Sequence, residues 1–163
     1  MPRIDVPEGP GGPPRQVWQL RPELLPTVTA MIDGPYHHSV LAPREREAAR
    51  MRIAELNDCK ICRDFRARSA VAGGATEELY THVGDAHTHD GYTERERLAI
   101  EFAERFAIDH TSLDDAFFVP MRAAFGDDEI LDLAICCGAF LGLGRVLAVL
   151  GIEPVADSST DAT

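Results

Sequence analysis

The sequence predicts a single all-α domain, and three observations support this fold class. The chain has 163 residues, which suits one domain that can bury its own hydrophobic core. No alternating apolar and polar pattern of useful length, such as a half-buried strand needs, occurs in it. Apolar residues instead recur at helical spacing, most clearly at Leu98, Ile100, Phe102, Ala103 and Phe106.

Residues that end or cap helices, among them Pro, Gly, Ser, Thr and Asp, divide the chain into successive helices. Thr93 and Glu96 have the spacing of a capping box and should begin one helix. Asp33-Gly34-Pro35 should end another, Ser112 should cap a third, and Asp127 should cap a long apolar one. The segments that we expect to be helical are 22–32, 43–57, 59–73, 76–83, 93–107, 112–125 and 127–152.

Three regions follow from composition. Residues 1–20 are rich in Pro and Gly and should form a flexible arm, residues 21–154 the helical domain, and residues 155–163 a disordered polar tail. The opening segment MPRIDVPEGPGGPP lacks the apolar core of a secretory signal. We therefore expect a cytoplasmic protein whose four cysteines are reduced.

The net charge and the hydropathy of the chain indicate whether nucleic acid or a membrane is an expected partner. The formal net charge of -11 disfavours binding to nucleic acid or to an anionic membrane surface. The apolar stretch 133–152 is long enough to suggest a membrane span. Its interior glycines, its single charge at Arg145 and the acidic residues before it favour a buried helix of a bundle instead. A buried Arg145 would need a carboxylate or carbonyl partner and is interpreted as structural.

Cys59 and Cys62 form a Cys-x-x-Cys pair at the predicted start of a helix. That spacing lets two sulfurs approach each other, and the helix N-terminus favours the reactive thiolate. Asp58 opposes ionisation, whereas Lys60, Arg63 and Arg66 favour it. A structural zinc site would need two further ligands, and the adjacent Cys136 and Cys137 point in different directions along a helix. These two are interpreted as core residues, and we expect no metal and no cofactor.

Three blocks give the chain a family resemblance: PREREAARMRIAELNDCKIC, YTERERLAIEFAERFA and GDDEILDLAICCGAFLGLGRVLAVLGIEP. Residues 41–154 resemble the carboxymuconolactone decarboxylase superfamily, and within it the branch like alkyl hydroperoxide reductase D (AhpD-like). Glu47 stands at the position of that branch's glutamate, and Cys59 and Cys62 at its two cysteines. The resemblance implies a homotrimer or homohexamer, and cofactor-free thiol chemistry that reduces peroxides or disulfides.

One position departs from that pattern. Arg66 stands four residues after Cys62, where the resembling enzymes have a histidine that relays protons with the glutamate. Arginine stays charged and cannot relay protons, although it can stabilise a thiolate or pair with Glu47. Loop histidines, among them His37, His38, His82, His87 and His89, are interpreted as solvated, and Glu55 as a second acidic residue on the face of Glu47.

Three functions therefore remain open. In the first, Cys62 attacks a peroxide or disulfide, Cys59 resolves the product, and an external dithiol reduces the resulting disulfide. In the second, the pair is a redox sensor without turnover, because Arg66 has removed the proton relay. In the third, the same pocket serves a non-redox enzyme acting on a small carbonyl or lactone substrate.

Overall fold

The computed structural model of the chain describes residues 1–154. Within that range it contains helices and loops and no β-strand, which confirms the all-α prediction. Short 3₁₀ turns occupy Val17–Leu20, Val83–Asp85 and His110–Ser112. The α-helices are α1 Gly12–Gln16, α2 Leu25–His37, α3 Pro43–Leu56, α4 Lys60–Asp64, α5 Arg68–Ala72, α6 Glu77–Thr81, α7 Glu94–Ile108, α8 Asp115–Ala124 and α9 Asp127–Val149.

Helix α3 lies at the centre of the bundle and packs most extensively against α7 and α9. Its sequence predicts an apolar face opposite a charged one, yet charged residues on it are buried as well, including Glu45, Arg46, Glu47 and Arg50. Glu45, for example, binds Arg95 of α7 at 2.6 Å. The charged face of α3 is therefore buried too, because neighbouring helices supply ion-pair partners for it.

Several helix ends match the predictions. Thr93 and Glu96 form the capping box at the start of α7, with the Glu96 amide donating to Thr93 Oγ1 at 3.2 Å and the Thr93 amide donating to Glu96 Oε2 at 2.9 Å. Helix α8 begins later than predicted, because Asp114 rather than Ser112 caps it through the Phe117 amide. Ser112 lies in the preceding 3₁₀ turn.

Helix α2 does not end where the sequence predicts. It continues through Asp33-Gly34-Pro35 to His37. Pro35 is buried, and the ring of Tyr36 packs against Phe65 and Phe140 at centroid distances of 5.8 and 6.1 Å. Tertiary packing therefore holds the last turn of α2 in place despite the proline, which cannot donate a backbone hydrogen bond.

The single helix predicted for residues 59–73 is two short helices, α4 and α5. The chain is extended between them, with ψ of 135° at Phe65 and 128° at Ala67. At this break the Cys62 and Phe65 carbonyls accept hydrogen bonds from the side chain of Arg50 of α3.

Helix α9 begins at Asp127, as predicted to within a residue, with Gly126 at the N-cap. By length and composition it could cross a membrane, and only 33% of its most apolar stretch is buried in the chain. The chain by itself therefore does not bury this helix on all sides, since Leu131 and Ile135 are 62% and 59% exposed. Arg145 is also exposed, and its partner is the amide oxygen of Asn57 at 3.0 Å rather than a carboxylate.

The first twenty residues, expected as a flexible arm, contact the helical body in the structure. The Arg3 amide donates to the Leu150 carbonyl at 2.8 Å, and Val17 is buried beside Cys59 and Leu147. Residues 12–20 are themselves helical, so a boundary at residue 20 does not separate them from the bundle. The tail predicted at 155–163 lies outside the described residues.

Candidate active site

The cysteine pair lies at the junction of α3 and α4. Asp58 turns the chain with a left-handed φ of +48°, and the Cys59 amide donates to the Ala54 carbonyl of α3 at 3.0 Å. Cys59 is the N-cap of α4, and its Sγ accepts the Cys62 amide at 3.4 Å. Both thiols are free. The two cysteines therefore share one turn, as the spacing predicts.

Burial and ionisation differ between the two sulfurs. Cys59 is 2% exposed, whereas Cys62 is half-buried. A hydrogen bond with the Cys62 thiol, together with backbone amides and the Arg50 charge, lowers the pKa of Cys59 to about 7 against the resistance of burial. The same bond and burial raise the pKa of Cys62. The pair thus gives up one proton near neutrality and holds the other.

Glu47 is fully buried and already bound on both oxygens. Arg50 Nε donates to Oε1 and Oε2 at 3.0 Å, and the hydroxyl of Tyr80 donates to Oε2 at 3.1 Å. Burial and the Glu47 charge raise the pKa of Tyr80 to about 12, so this hydroxyl stays protonated as a donor. Glu47 is therefore placed as an ion-pair partner, with no open side toward a reactant. Glu55, two turns later, pairs instead with Arg52 at 2.8 Å.

Arg50 joins Glu47 to the cysteine turn, and the sequence-based reasoning overlooked it. Its Nη1 donates to the Cys62 carbonyl, and its Nη2 donates to the Phe65 carbonyl at 3.0 Å. The guanidinium is buried between the rings of Phe65 and Tyr80, at 5.6 and 6.0 Å from their centroids. The signal that could have found it is its spacing, since an arginine three residues after Glu47 shares its helix face.

Arg66 does not contact Glu47. It pairs with Glu77 at 2.9 Å, its guanidinium lies over the Tyr80 ring at 4.0 Å, and its Nη1 donates to the Phe65 carbonyl at 3.1 Å. The expected alternative of an Arg66–Glu47 pair is therefore wrong. Glu47 is instead bound by Arg50 and Tyr80.

The remaining histidines and cysteines lie elsewhere. His82 and His89 stack at 4.1 Å and, with His87, face surface carboxylates at 3.3–3.7 Å. Cys136 and Cys137 are fully buried in the core, as predicted. Among residues 1–154, no group of three or more His, Cys, Asp or Glu side chains is arranged to hold a metal ion.

Two features shape the surroundings of the sulfurs. A Cβ placed on Gly144 of α9 would lie 3.5 Å from Cys62 Sγ and 2.9 Å from the side-chain Nδ2 of Asn57. The glycine therefore lets α9 approach the dithiol closely. On the other side of the turn lies an open cavity of about 250 Å³. Its wall includes Cys59, Asp58, Lys60, Arg3 and Ile152.

Fold and site together define a helical bundle with a Cys-x-x-Cys centre at its central helix. No family model matches the sequence. An uncharacterized Mycobacterium tuberculosis protein is 30% identical over 95 residues, which are 57% of this chain and 33% of that protein. The uncharacterized Escherichia coli protein YnjA is 26% identical over 61% of this chain and 55% of its own length. The chain thus spans only a third of the mycobacterial relative.

Solved structures identify the fold. A protein of unknown function from Agrobacterium tumefaciens, proposed to be an antioxidant defence protein AhpD, superposes with a TM-score of 0.77 at 22% identity, covering 95% of this chain and 99% of its own. An uncharacterized peroxidase-related protein from Silicibacter gives 0.76 at 21% identity over 95% and 92%. The chain therefore has the AhpD-like helical fold, which confirms at the level of fold the resemblance found in the sequence.

Proposed function

We propose that the protein is a thiol-dependent oxidoreductase that reduces peroxides or disulfides with Cys59 and Cys62. The observation that carries this proposal is the shared turn, in which the Cys62 amide donates to Cys59 Sγ at 3.4 Å and both thiols are free. A thiolate is the reactive form of cysteine, and a second sulfur on the same turn can resolve the product. The peroxidase-related neighbours of the same fold support it.

The proposed reaction with a peroxide has two steps. The Cys62 sulfur attacks the outer peroxide oxygen, the O–O bond breaks, and an alcohol leaves after protonation, with Cys62 oxidised to a sulfenic acid. The Cys59 sulfur then attacks the Cys62 sulfur and displaces water, which forms the intramolecular disulfide. An external dithiol supplies two electrons and two protons to restore both thiols.

The attacking sulfur can be chosen by its exposure, which favours Cys62, or by its pKa, which favours Cys59. The lower pKa falls on Cys59, yet that sulfur is 2% exposed, while Cys62 is half-buried. We assign the attack to Cys62 because a proton moves readily between hydrogen-bonded sulfurs, whereas a buried sulfur must first be uncovered. The cavity beside Cys59 offers the alternative approach, and mass analysis after brief alkylation will show which cysteine reacts first.

The proposal includes the setting of the reaction. An external dithiol reductant and reduced core cysteines suit the cytoplasm. A homotrimer or homohexamer would cover the exposed apolar residues of α9, among them Leu131 and Ile135. The substrate class remains a peroxide or a disulfide.

The test is peroxide consumption by the purified protein with dithiothreitol as reductant. Replacing Cys59 or Cys62 by Ser should reduce turnover to background, because both sulfurs are needed to form the disulfide. The helical circular dichroism should be retained. Cys136→Ser serves as the matched control, since that cysteine lies outside the site. Full activity in the double Ser variant would refute the proposal.

The same assay separates the other two functions. A redox sensor would form one disulfide per chain and then stop, even with reductant present. The sensor is the second candidate because Arg66 stands where a proton-relaying histidine is expected. A non-redox enzyme would keep its activity after both thiols are alkylated.

A further inference from the structure

The carbonyl groups at the end of α4 have an unusual partner. Because the chain is extended at Phe65, the helix does not continue, and the Cys62 and Phe65 carbonyls lack the amide partners that another helical turn would give them. Arg50 Nη1 and Nη2 donate to these two carbonyls. Arg66 Nη1 also donates to the Phe65 carbonyl, at 3.1 Å, but the bond to the Cys62 carbonyl comes from Arg50 of α3, which thereby holds the turn that carries the second cysteine.

Arg50 is itself held rigidly. Its Nε donates to both oxygens of Glu47, and Tyr80 donates to the same carboxylate. Arg50 and Glu47 are 3% and 0% exposed, so neither can exchange its partner for water without opening the core. Such a planar, multiply bonded guanidinium is not replaceable by lysine without loss of geometry.

We propose that Arg50 is the positioning residue of the dithiol, fixing the Cys62 turn and presenting a permanent positive charge to both sulfurs, with Glu47 as its anchor and not a proton acceptor. This inference rests on the proposed thiol chemistry and assigns its activation to a different group from the family's relay. It gives Arg66 no part in the activation. The Arg50 charge acts to lower the pKa of both thiols, although burial and the bond with Cys59 leave the pKa of Cys62 raised.

The experiment measures the rate of iodoacetamide alkylation of the reduced full-length protein against pH, with mass analysis of the peptide holding Cys59 and Cys62. Arg50→Gln should move the midpoint up by about one pH unit, from near 7 to near 8, which lowers the thiolate fraction and the alkylation rate at pH 7 by about fivefold. Arg50→Lys should restore part of the shift, because it keeps the charge but cannot bind two carbonyls and a carboxylate together.

Glu47→Gln should shift the alkylation midpoint in the opposite direction to Arg50→Gln. It therefore distinguishes Glu47 as the anchor of Arg50 from Glu47 as a proton acceptor. An amide keeps a hydrogen-bond acceptor for Arg50 but removes the negative charge, so the dithiol should ionise at lower pH and react faster at neutrality. If Glu47 were the base, the same change would slow the reaction. This variant keeps the test decisive even if Arg50→Gln fails to fold.

Arg46→Gln is the matched control, because Arg46 is equally buried one turn earlier on α3 and donates to Ser69 rather than to the dithiol turn. Its midpoint should equal that of the wild type. The proposal is overturned by an Arg50→Gln profile that matches the wild type or the Arg46→Gln variant, or by an unchanged or raised midpoint in Glu47→Gln. Alkylation needs no peroxide, so these results stand apart from the outcome of the turnover assay.

Discussion

At the scale of single residues, sequence spacing identified the cysteine pair but not Arg50, the side chain that holds its turn. Cys59 and Cys62 share a turn because three residues of a helix bring side chains to the same side. The sequence contains several arginines at helical spacing from the pair, and it could not tell Arg50 from Arg66. That difference depends on the extended residues between α4 and α5. Arg66 pairs with Glu77 and shares the Phe65 carbonyl with Arg50, whereas Arg50 also binds the Cys62 carbonyl.

At the scale of elements, the helices with strong local signals were predictable. The capping box of α7 was found where Thr93 and Glu96 indicate, and α3 begins at Pro43 and ends within a residue of its prediction. Helices α2 and α4 were mispredicted because tertiary contacts decide their ends. In α2 the packing of Tyr36 overrides a Gly-Pro stop, and after α4 the chain breaks without any Gly or Pro signal.

The capping box offers a prediction at this scale. Thr93→Ala removes the acceptor for the Glu96 amide at the start of α7, which packs along the central helix α3. We expect the free energy of unfolding to fall by about 1 kcal/mol. Urea unfolding followed by circular dichroism measures it. Thr93→Ser, which keeps the oxygen, should lose much less, and equal losses in both variants would show that the cap hydrogen bond is not the cause.

At the scale of the whole molecule, the apolar character of α9 was evident, but its degree of burial was not. A stripe along one side of the helix is exposed: Leu131, Ile135, Val146 and Val149. Gly138 and Gly142 lie on the same side, and a Cβ on either would meet no atom of the described chain within 4 Å. The apolar sequence of this helix left two ways to bury it, a central position within one chain or a contact between subunits. In one chain the helix is not central, and a second copy is the proposed cover.

This proposal predicts the effect of charge on the stripe. Leu131→Glu and Ile135→Glu should lower the mass measured by light scattering from that of an oligomer to that of one chain, because a carboxylate is costly to bury at an apolar contact. Val119→Glu on α8 is the control, since Val119 is also exposed but lies off the stripe. A wild-type protein that is monomeric at high concentration, or an oligomer that both variants leave intact, would contradict the proposed assembly.

The proposed chemistry depends on the two sulfurs of one turn giving up one proton near neutral pH and keeping the other. The most direct measurement is the ultraviolet absorbance of thiolate against pH in the reduced protein, with the Cys59→Ser/Cys62→Ser variant as the blank. We predict one thiolate per chain with a midpoint near pH 7, since the pKa of Cys59 is lowered to about 7. A first midpoint at about 8.5, the value of an unperturbed cysteine, would contradict the account.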